Sequence, residues 1–229
     1  MVEKVWYCSY GSNLLEERFK LYIEGGTSPL VNKIYDGCTD KTMPTKSKLY
    51  KINYEMYFAE KAEFWEDKAV AFISHKKGNS FTYARLYLIT VEQFHEIVTQ
   101  ENTQFSSSSI SKLIDLKELE SKGSLLLGSP DENKLYGKVI LVGTEEGFPI
   151  ITFTSKSEID KVKFKKPGEK YLGTIIKGLS DLDHSENIDY ENILSYFENL
   201  KGIKGKIKTN KLKKNYYFKY SFKKRSPTN

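Results

Sequence analysis

Two sets of residues in this chain could do chemistry together. The first is Tyr7-Cys8-Ser9-Tyr10-Gly11-Ser12-Asn13-Leu14. An alternating run from Val5 to Tyr10 meets a tight Gly-Ser-Asn turn, and a helical pattern follows at once. A strand that breaks directly into a helix start presents free backbone N–H groups at one point. Such a point holds a carboxylate, a phosphate or a developing oxyanion. The second is Glu101. Phe94, Ile97 and Val98 form the apolar stripe of a helix that begins after Thr90, and the next position on that stripe is Glu101. An acid on a core-facing stripe is costly unless it is paired or functional. Burial would move it toward the range of a general base working near neutral pH. The two sets are complementary: one offers donors to an anion, the other a carboxylate that accepts and returns a proton. Each also has a plainer reading. Ser12 or Asn13 would simply cap a helix, and a helix fraying at Gln100 would let Glu101 reach solvent.

The elements that must position these residues follow from periodicity. Leu15, Phe19, Tyr22 and Ile23 repeat at helical spacing, and Gly25-Gly26 ends that helix. Residues 27–47 read as loop. Ile52, Tyr54, Met56 and Phe58 alternate as one strand, and Ala69–Ser74 and Phe81–Ile89 read as two more around a turn at 76–79. Thr90 and Gln93 form a capping box for the helix that carries Glu101. Ile110–Leu116, Gly137–Gly143 and Pro149–Thr154 are further strand candidates, and Ser106–Ser109 is a polar run without an assigned role. Tyr171–Leu182 has helical character that Gly173 and Gly178 weaken. Ile188–Leu200 is amphipathic, with Ile193, Leu194, Phe197 and Leu200 on one side. Strands and helices mix without regular alternation, so the expected class is α+β with a mixed, largely antiparallel sheet that could close as a barrel.

Bulk properties narrow the function classes. A chain of 229 residues, 39% hydrophobic and 14% aromatic, is long enough and apolar enough to build a core. No apolar run reaches about 18 residues, so no membrane span is expected. The first residues lack a signal-peptide pattern. Two cysteines, Cys8 and Cys38, suit a reduced cytoplasmic protein, and with three scattered His they give little support for a metal site. The net charge of +6 is local: residues 201–229 hold eleven Lys/Arg and no acid, which leaves 25 basic and 30 acidic groups in residues 1–200. We therefore read residues 1–200 as one domain and 201–229 as a Lys-rich extension. Tyr216, Tyr217, Phe218, Tyr220 and Phe222 interleave with its charges. That pattern fits a final strand with Lys outside; nucleic acid or another anionic polymer is the less favoured partner.

The stretch Tyr7–Leu14 resembles the Tyr-Gly-Ser-Asn-Leu signature of the γ-glutamylcyclotransferase-like family. The spacing from Leu86 through the following helix places that family's catalytic Glu on Glu101 without a gap. Trp65–Ile73 resembles a Trp-containing segment of the family, with Lys68-Ala69 where a Gly pair is usual. Pro167–Gly178 resembles its late segment, whose pocket tyrosine falls on Tyr171. Asn102 stands where the family often has Gly, and Ser106–Ser109 where a Tyr is common. The resemblance implies a small mixed β-barrel with flanking helices. It implies a pocket formed by Tyr7, Cys8, Ser9, Tyr10, Gly11, Ser12, Asn13 and Tyr171, with Glu101 as general acid and base. It implies a reaction that cyclises a γ-glutamyl group to 5-oxoproline and frees an amine, without metal or other cofactor. The partner would be a small γ-glutamyl compound. A non-catalytic binding module on the same fold is the alternative.

Overall fold

Both faces of the first strand are apolar, which requires a sheet covered on both sides. In the computed structural model, which describes residues 2–31, 33–102, 114–128, 134–186 and 190–207, β1 (Lys4–Ser9) is buried from Val5 to Ser9. It lies between β7 (Thr82–Thr90), antiparallel, and β10 (Phe148–Thr154), parallel. β4 (Ser47–Ile52) extends the sheet beyond β7, while β9 (Lys138–Glu145) and β8 (Ser124–Leu126) extend it beyond β10. All its pairings except β1 with β10 are antiparallel. Two small ribbons stand apart: β2 (Gly26–Thr27) with β3 (Ile34–Tyr35), and β5 (Met56–Ala62) with β6 (Lys68–Ile73).

The mixed α+β architecture is as expected, but the barrel is not. Closure needs a ladder between edge strands, and β4 and β8 end the six-stranded sheet unpaired with each other. The β5–β6 ribbon pairs with itself and makes single bridges to Lys201 and Pro167 instead of joining the edges. Three elements also differ. The single strand read across residues 51–58 is the corner between β4 and β5: the chain leaves the sheet at residues 53–55, and β5 buries both of its faces from Met56 to Ala59, Tyr57 included. Residues 27–47 contain the β2–β3 ribbon. Of the Ile110–Leu116 strand, residues 110–113 lie outside the described residues and Leu116 opens a helix, α3 (Leu116–Lys122). Its N-cap Asp115 accepts from the Lys117 and Glu118 N–H groups at 2.9 and 3.1 Å. Ser106–Ser109 and the aromatic tail strand also lie outside the described residues.

The helices cover the sheet. α1 (Glu16–Glu24) ends at Gly25, whose positive φ of 84° favours glycine. α2 (Val91–Asn102) begins with the expected capping box: Gln93 N–H donates to Thr90 Oγ1 at 3.0 Å and Thr90 N–H to Gln93 Oε1 at 3.1 Å. α4 (Glu169–Glu186) runs through Gly178. A Cβ there would lie 2.4 Å from the Leu14 carbonyl carbon and the Leu15 nitrogen, so this glycine lets α4 rest on the backbone after the Gly-Ser-Asn turn. α5 (Tyr190–Asn199) buries Ile193, Leu194 and Phe197. No helix among the described residues is long and apolar enough to cross a membrane.

Candidate active site

Strand alternation sorts the first motif before any ligand is considered. Tyr7 and Ser9 face a cleft of about 250 Å3, whereas Cys8 lies on the other face of the sheet, away from that cleft. Past the strand, Ser12–Leu14 makes one 3-10 turn in which Leu14 and Leu15 N–H donate to the Gly11 and Ser12 carbonyls. The Gly11, Ser12 and Asn13 N–H groups have no such acceptor among the described residues. Neither Ser12 nor Asn13 caps a helix with its side chain. Tyr87 OH donates to the Asn13 carbonyl at 2.9 Å, and Tyr10 OH to the Phe153 carbonyl at 2.6 Å, so the turn is held from both sides.

Asn13 instead spans the cleft. Its Nδ2 donates to Glu101 Oε1 at 3.0 Å and to Tyr7 OH at 3.3 Å. Its Oδ1 is buried without a hydrogen-bond partner, the kind of group a ligand donor satisfies. Ser9 Oγ is likewise buried without a hydrogen-bond partner. α2 does not fray before Glu101. It continues to Asn102, and Gln100 is buried with its Nε2 donating to the Tyr22 carbonyl at 3.0 Å. Glu101 is half-buried and sits in a second, adjoining cleft as well.

That second cleft, about 350 Å3, shares Ser12, Glu101 and Tyr136 with the first. Tyr171 lines it; its hydroxyl accepts from Ala71 N–H at 3.0 Å and would lie 3.1 Å from a Cβ placed on Gly11. Three residues that sequence reasoning did not single out complete it. Arg18, 4% exposed, donates from Nε to Ser12 Oγ at 2.9 Å, from Nη1 to Tyr35 OH at 2.5 Å and from Nη2 to Tyr22 OH at 2.9 Å. Lys33 Nζ donates to the Gln100 carbonyl at 2.9 Å. Tyr136 is held through its backbone by Asn102, which donates to its carbonyl and accepts from its N–H, each at 3.0 Å. The signal for Arg18 was available. It lies between Leu15 and Tyr22 on the buried stripe of α1, the same anomaly that exposed Glu101. Lys33 and Tyr136 sit in irregular segments that carry no periodicity.

The electrostatics centre on Glu101. Burial raises the pKa values of Tyr7, Tyr22, Tyr35, Tyr136 and Tyr171, and the nearby Glu101 charge raises each further. All five therefore stay neutral phenols at physiological pH. Burial opposes the charge on Arg18, but Tyr22, Tyr35 and Glu101 around it hold its pKa above the ordinary value. Burial lowers that of Lys33. The site thus offers one carboxylate, two cations and a ring of neutral hydroxyls. Among the described residues no cluster of three or more His, Cys, Asp or Glu is placed to hold a metal ion.

No family model matches the chain. A histone deacetylase 5 from Arabidopsis thaliana is 33% identical over 186 residues, which cover 76% of this chain and 28% of that protein. The chain therefore spans just over a quarter of the length of this curated relative. Among solved structures, an uncharacterized protein from Homo sapiens has 14% identity and a TM-score of 0.46, over 83% of this chain and 86% of that one. A γ-glutamyl cyclotransferase has 14% identity and a TM-score of 0.45, over 93% and 99%. A glutathione-specific γ-glutamyl cyclotransferase from yeast has 10% identity and a TM-score of 0.31, over 95% and 99%.

Proposed function

We propose that the chain is a γ-glutamylcyclotransferase-type enzyme that converts a γ-glutamyl compound to 5-oxoproline and a free amine. The observation that carries this reading is the 3.0 Å contact between Asn13, in the signature turn, and Glu101, the separately recognised acid. A capping or solvent-facing role for either residue would leave them apart.

The γ-glutamyl head would lie in the first cleft, its α-carboxylate against the free N–H groups of Gly11, Ser12 and Asn13. Glu101 would take a proton from the α-ammonium. The freed amine would attack its own side-chain carbonyl carbon and form a tetrahedral oxyanion. The bond from that carbon to the leaving nitrogen would then break as Glu101 returned the proton to the departing amine, and the ring nitrogen, positive after attack, would give up its second proton through the same carboxylate, so the amine leaves as an ammonium ion. Both reacting groups belong to one molecule, so holding the folded conformer supplies much of the rate, with an upper range of about 7–11 kcal/mol. Asn13 occupies one carboxylate oxygen of Glu101 and leaves the other for proton transfer. The neutral hydroxyls around it donate hydrogen bonds without competing for the substrate's ammonium as anions would.

The test is a panel of γ-glutamyl compounds assayed for 5-oxoproline. Glu101→Gln keeps the Asn13 contact and the side-chain volume but cannot act as a base, so it should lose about 10²–10⁴-fold in kcat. Wild-type turnover by this variant would refute the assignment. Tight binding without 5-oxoproline release by the unmodified chain would place it with binding modules instead.

A further inference from the structure

Arg85 sits in the middle of β7 and lines neither of the two clefts. The register of β1 with β7 sets Tyr7 opposite Tyr87 and Ser9 opposite Arg85. Arg85 and Tyr87 therefore share the sheet face that carries Tyr7 and Ser9. From there Arg85 Nη1 donates to the Leu14 carbonyl at 3.4 Å, and Nη2 donates to Glu16 Oε2 at 2.5 Å and to Ser47 Oγ at 3.1 Å. Its guanidinium carbon lies 5.1 Å from the Tyr87 ring centroid. Phe19 stacks on that ring at 3.8 Å.

Stability does not account for an arginine at this place. β7 is buried from Thr82 to Ile89, and Arg85 itself is 6% exposed. Its Nε is buried without a partner, which costs free energy. The Glu16 side chain is 46% exposed, so the ion pair between them contributes little. Packed apolar side chains often replace a buried charge pair with no loss of stability.

The contacts of Arg85 fix a direction instead. In a short helical turn the N–H groups point to its start and the carbonyls to its end. The free N–H groups of Gly11, Ser12 and Asn13 are the start of the signature turn, and the Asn13 and Leu14 carbonyls are its end. Tyr87 holds the first of these carbonyls and Arg85 the second. Arg85 also holds Glu16 in the first turn of α1, which follows at once. A planar fork bonded to both segments sets their relative orientation, which a single contact leaves free to swivel.

We propose that Arg85 is a positioning residue: it holds the back of the signature turn so that the N–H groups at the front stay aimed at the α-carboxylate in the first cleft. The inference rests on the reaction proposed above. The contacts of Arg85 include neither Glu101 nor the Asn13 side chain, so its influence falls on binding and not on proton transfer.

The experiment compares the full chain with its Arg85→Lys and Glu16→Gln variants on the best γ-glutamyl substrate of the panel. Lysine keeps the charge beside Glu16 but, as a point charge, loses the fork that reaches Leu14. KM should rise about two- to twelvefold in Arg85→Lys, the value of one hydrogen bond, with kcat within about twofold of wild type. The inhibition constant of 5-oxoproline, which retains the carboxylate, should rise by the same factor. Glu16→Gln removes the ion pair and leaves the Leu14 contact, so its KM should stay at the wild-type value whatever its Tm. Ser47 is exposed, and Ser47→Ala frees the fork from its other side without threatening the fold. If Arg85→Lys does not fold, a KM raised at least about twofold in Ser47→Ala supports the inference, and a wild-type KM there overturns it. Wild-type KM in a folded Arg85→Lys, a loss confined to kcat, or a KM that follows Tm equally in the Arg85 and Glu16 variants overturns the inference and leaves the reaction standing. No 5-oxoproline from the unmodified chain with any compound of the panel overturns the reaction and this inference with it.

Discussion

Asn13→Ala tests whether the signature turn works through Glu101 or beside it. The wild-type side chain donates to Glu101 Oε1 at 3.0 Å and to Tyr7 OH at 3.3 Å, and it is 3% exposed. A hydrogen bond to a charged group contributes about 1.5–3 kcal/mol. If that energy fixes the carboxylate for proton transfer, its loss appears in the barrier, and each 1.36 kcal/mol is tenfold in rate. The expected fall in kcat is therefore roughly 10- to 150-fold, with KM changed much less because the N–H groups of the turn remain. Leaving the buried Tyr7 hydroxyl without its donor costs about 1–3 kcal/mol of stability. At about 2–4 °C per kcal/mol for a chain of this size, the Tm should drop by several degrees. Steady-state kinetics of 5-oxoproline release below that Tm separate the two effects. A kcat within about twofold of wild type in a folded Asn13→Ala variant would refute the idea that Asn13 positions the base. Asn13→Asp gives a second readout. It sets a carboxylate beside Glu101, and like charges raise the apparent pKa of such a pair. The acid limb of the kcat/KM profile should then move to higher pH.

Three further outcomes follow from the packing around the site. Gly178→Ala drives a methyl into the Leu14–Leu15 backbone, 2.4 Å away; overpacking of this kind costs about 1–3 kcal/mol, so thermal melts should show a lower Tm and activity should fall with it. Asn102→Ala strands the N–H and carbonyl of Tyr136, at about 1–3 kcal/mol for each buried group left unsatisfied; calorimetry should show the destabilisation, and KM should rise because Tyr136 lines both clefts. Alkaline pH should unfold the protein. Burial pushes the Cys38 thiol up to about 12 and raises Tyr7, Tyr10, Tyr22, Tyr136 and Tyr171 above the ordinary phenol value. These groups lose protons in the unfolded chain first, so stability is intact below about pH 8.5 and falls as pH rises through 10. Phenolate absorbance that grows in step with unfolding supports this; phenolate formation in the folded state at pH 10 contradicts it.

Local signals in the sequence were read well where one residue forces one geometry. Thr90 and Gln93 cap α2 as their spacing requires, and that register carries Glu101 to the inner face. The same stripe argument applied to α1 would have marked Arg18, since its burial against Tyr22 and Tyr35 is as costly for a charge as that of Glu101. Non-local features were not legible. Alternation from Ile52 to Phe58 reads as one strand because Tyr57 counts as an outward position in the sequence, yet it is buried with its neighbours in β5, so the corner at 53–55 was invisible. Gly178 read as a weakness of α4 because a single sequence does not show what packs against it; its partner is the backbone of the signature turn itself. Whether edges close into a barrel depends on partners of β4 and β8, which no local pattern encodes.

The placement of Glu101 has a cost that explains its neighbours. It lies in the last turn of α2, where unpaired carbonyls concentrate partial negative charge and disfavour an acid by about 0.3–1 kcal/mol. Three groups from elsewhere in the chain answer that field. Lys33 donates to the Gln100 carbonyl in that last turn, Asn13 donates to the carboxylate, and Arg18 lies near enough to feel the Glu101 charge. The cations of the second cleft therefore act on Glu101 as well as on any ligand. Lys33→Gln removes one of these charges without touching the signature turn, so kcat for 5-oxoproline release should fall in a folded variant; an unchanged kcat would mean that Lys33 does not act on the base.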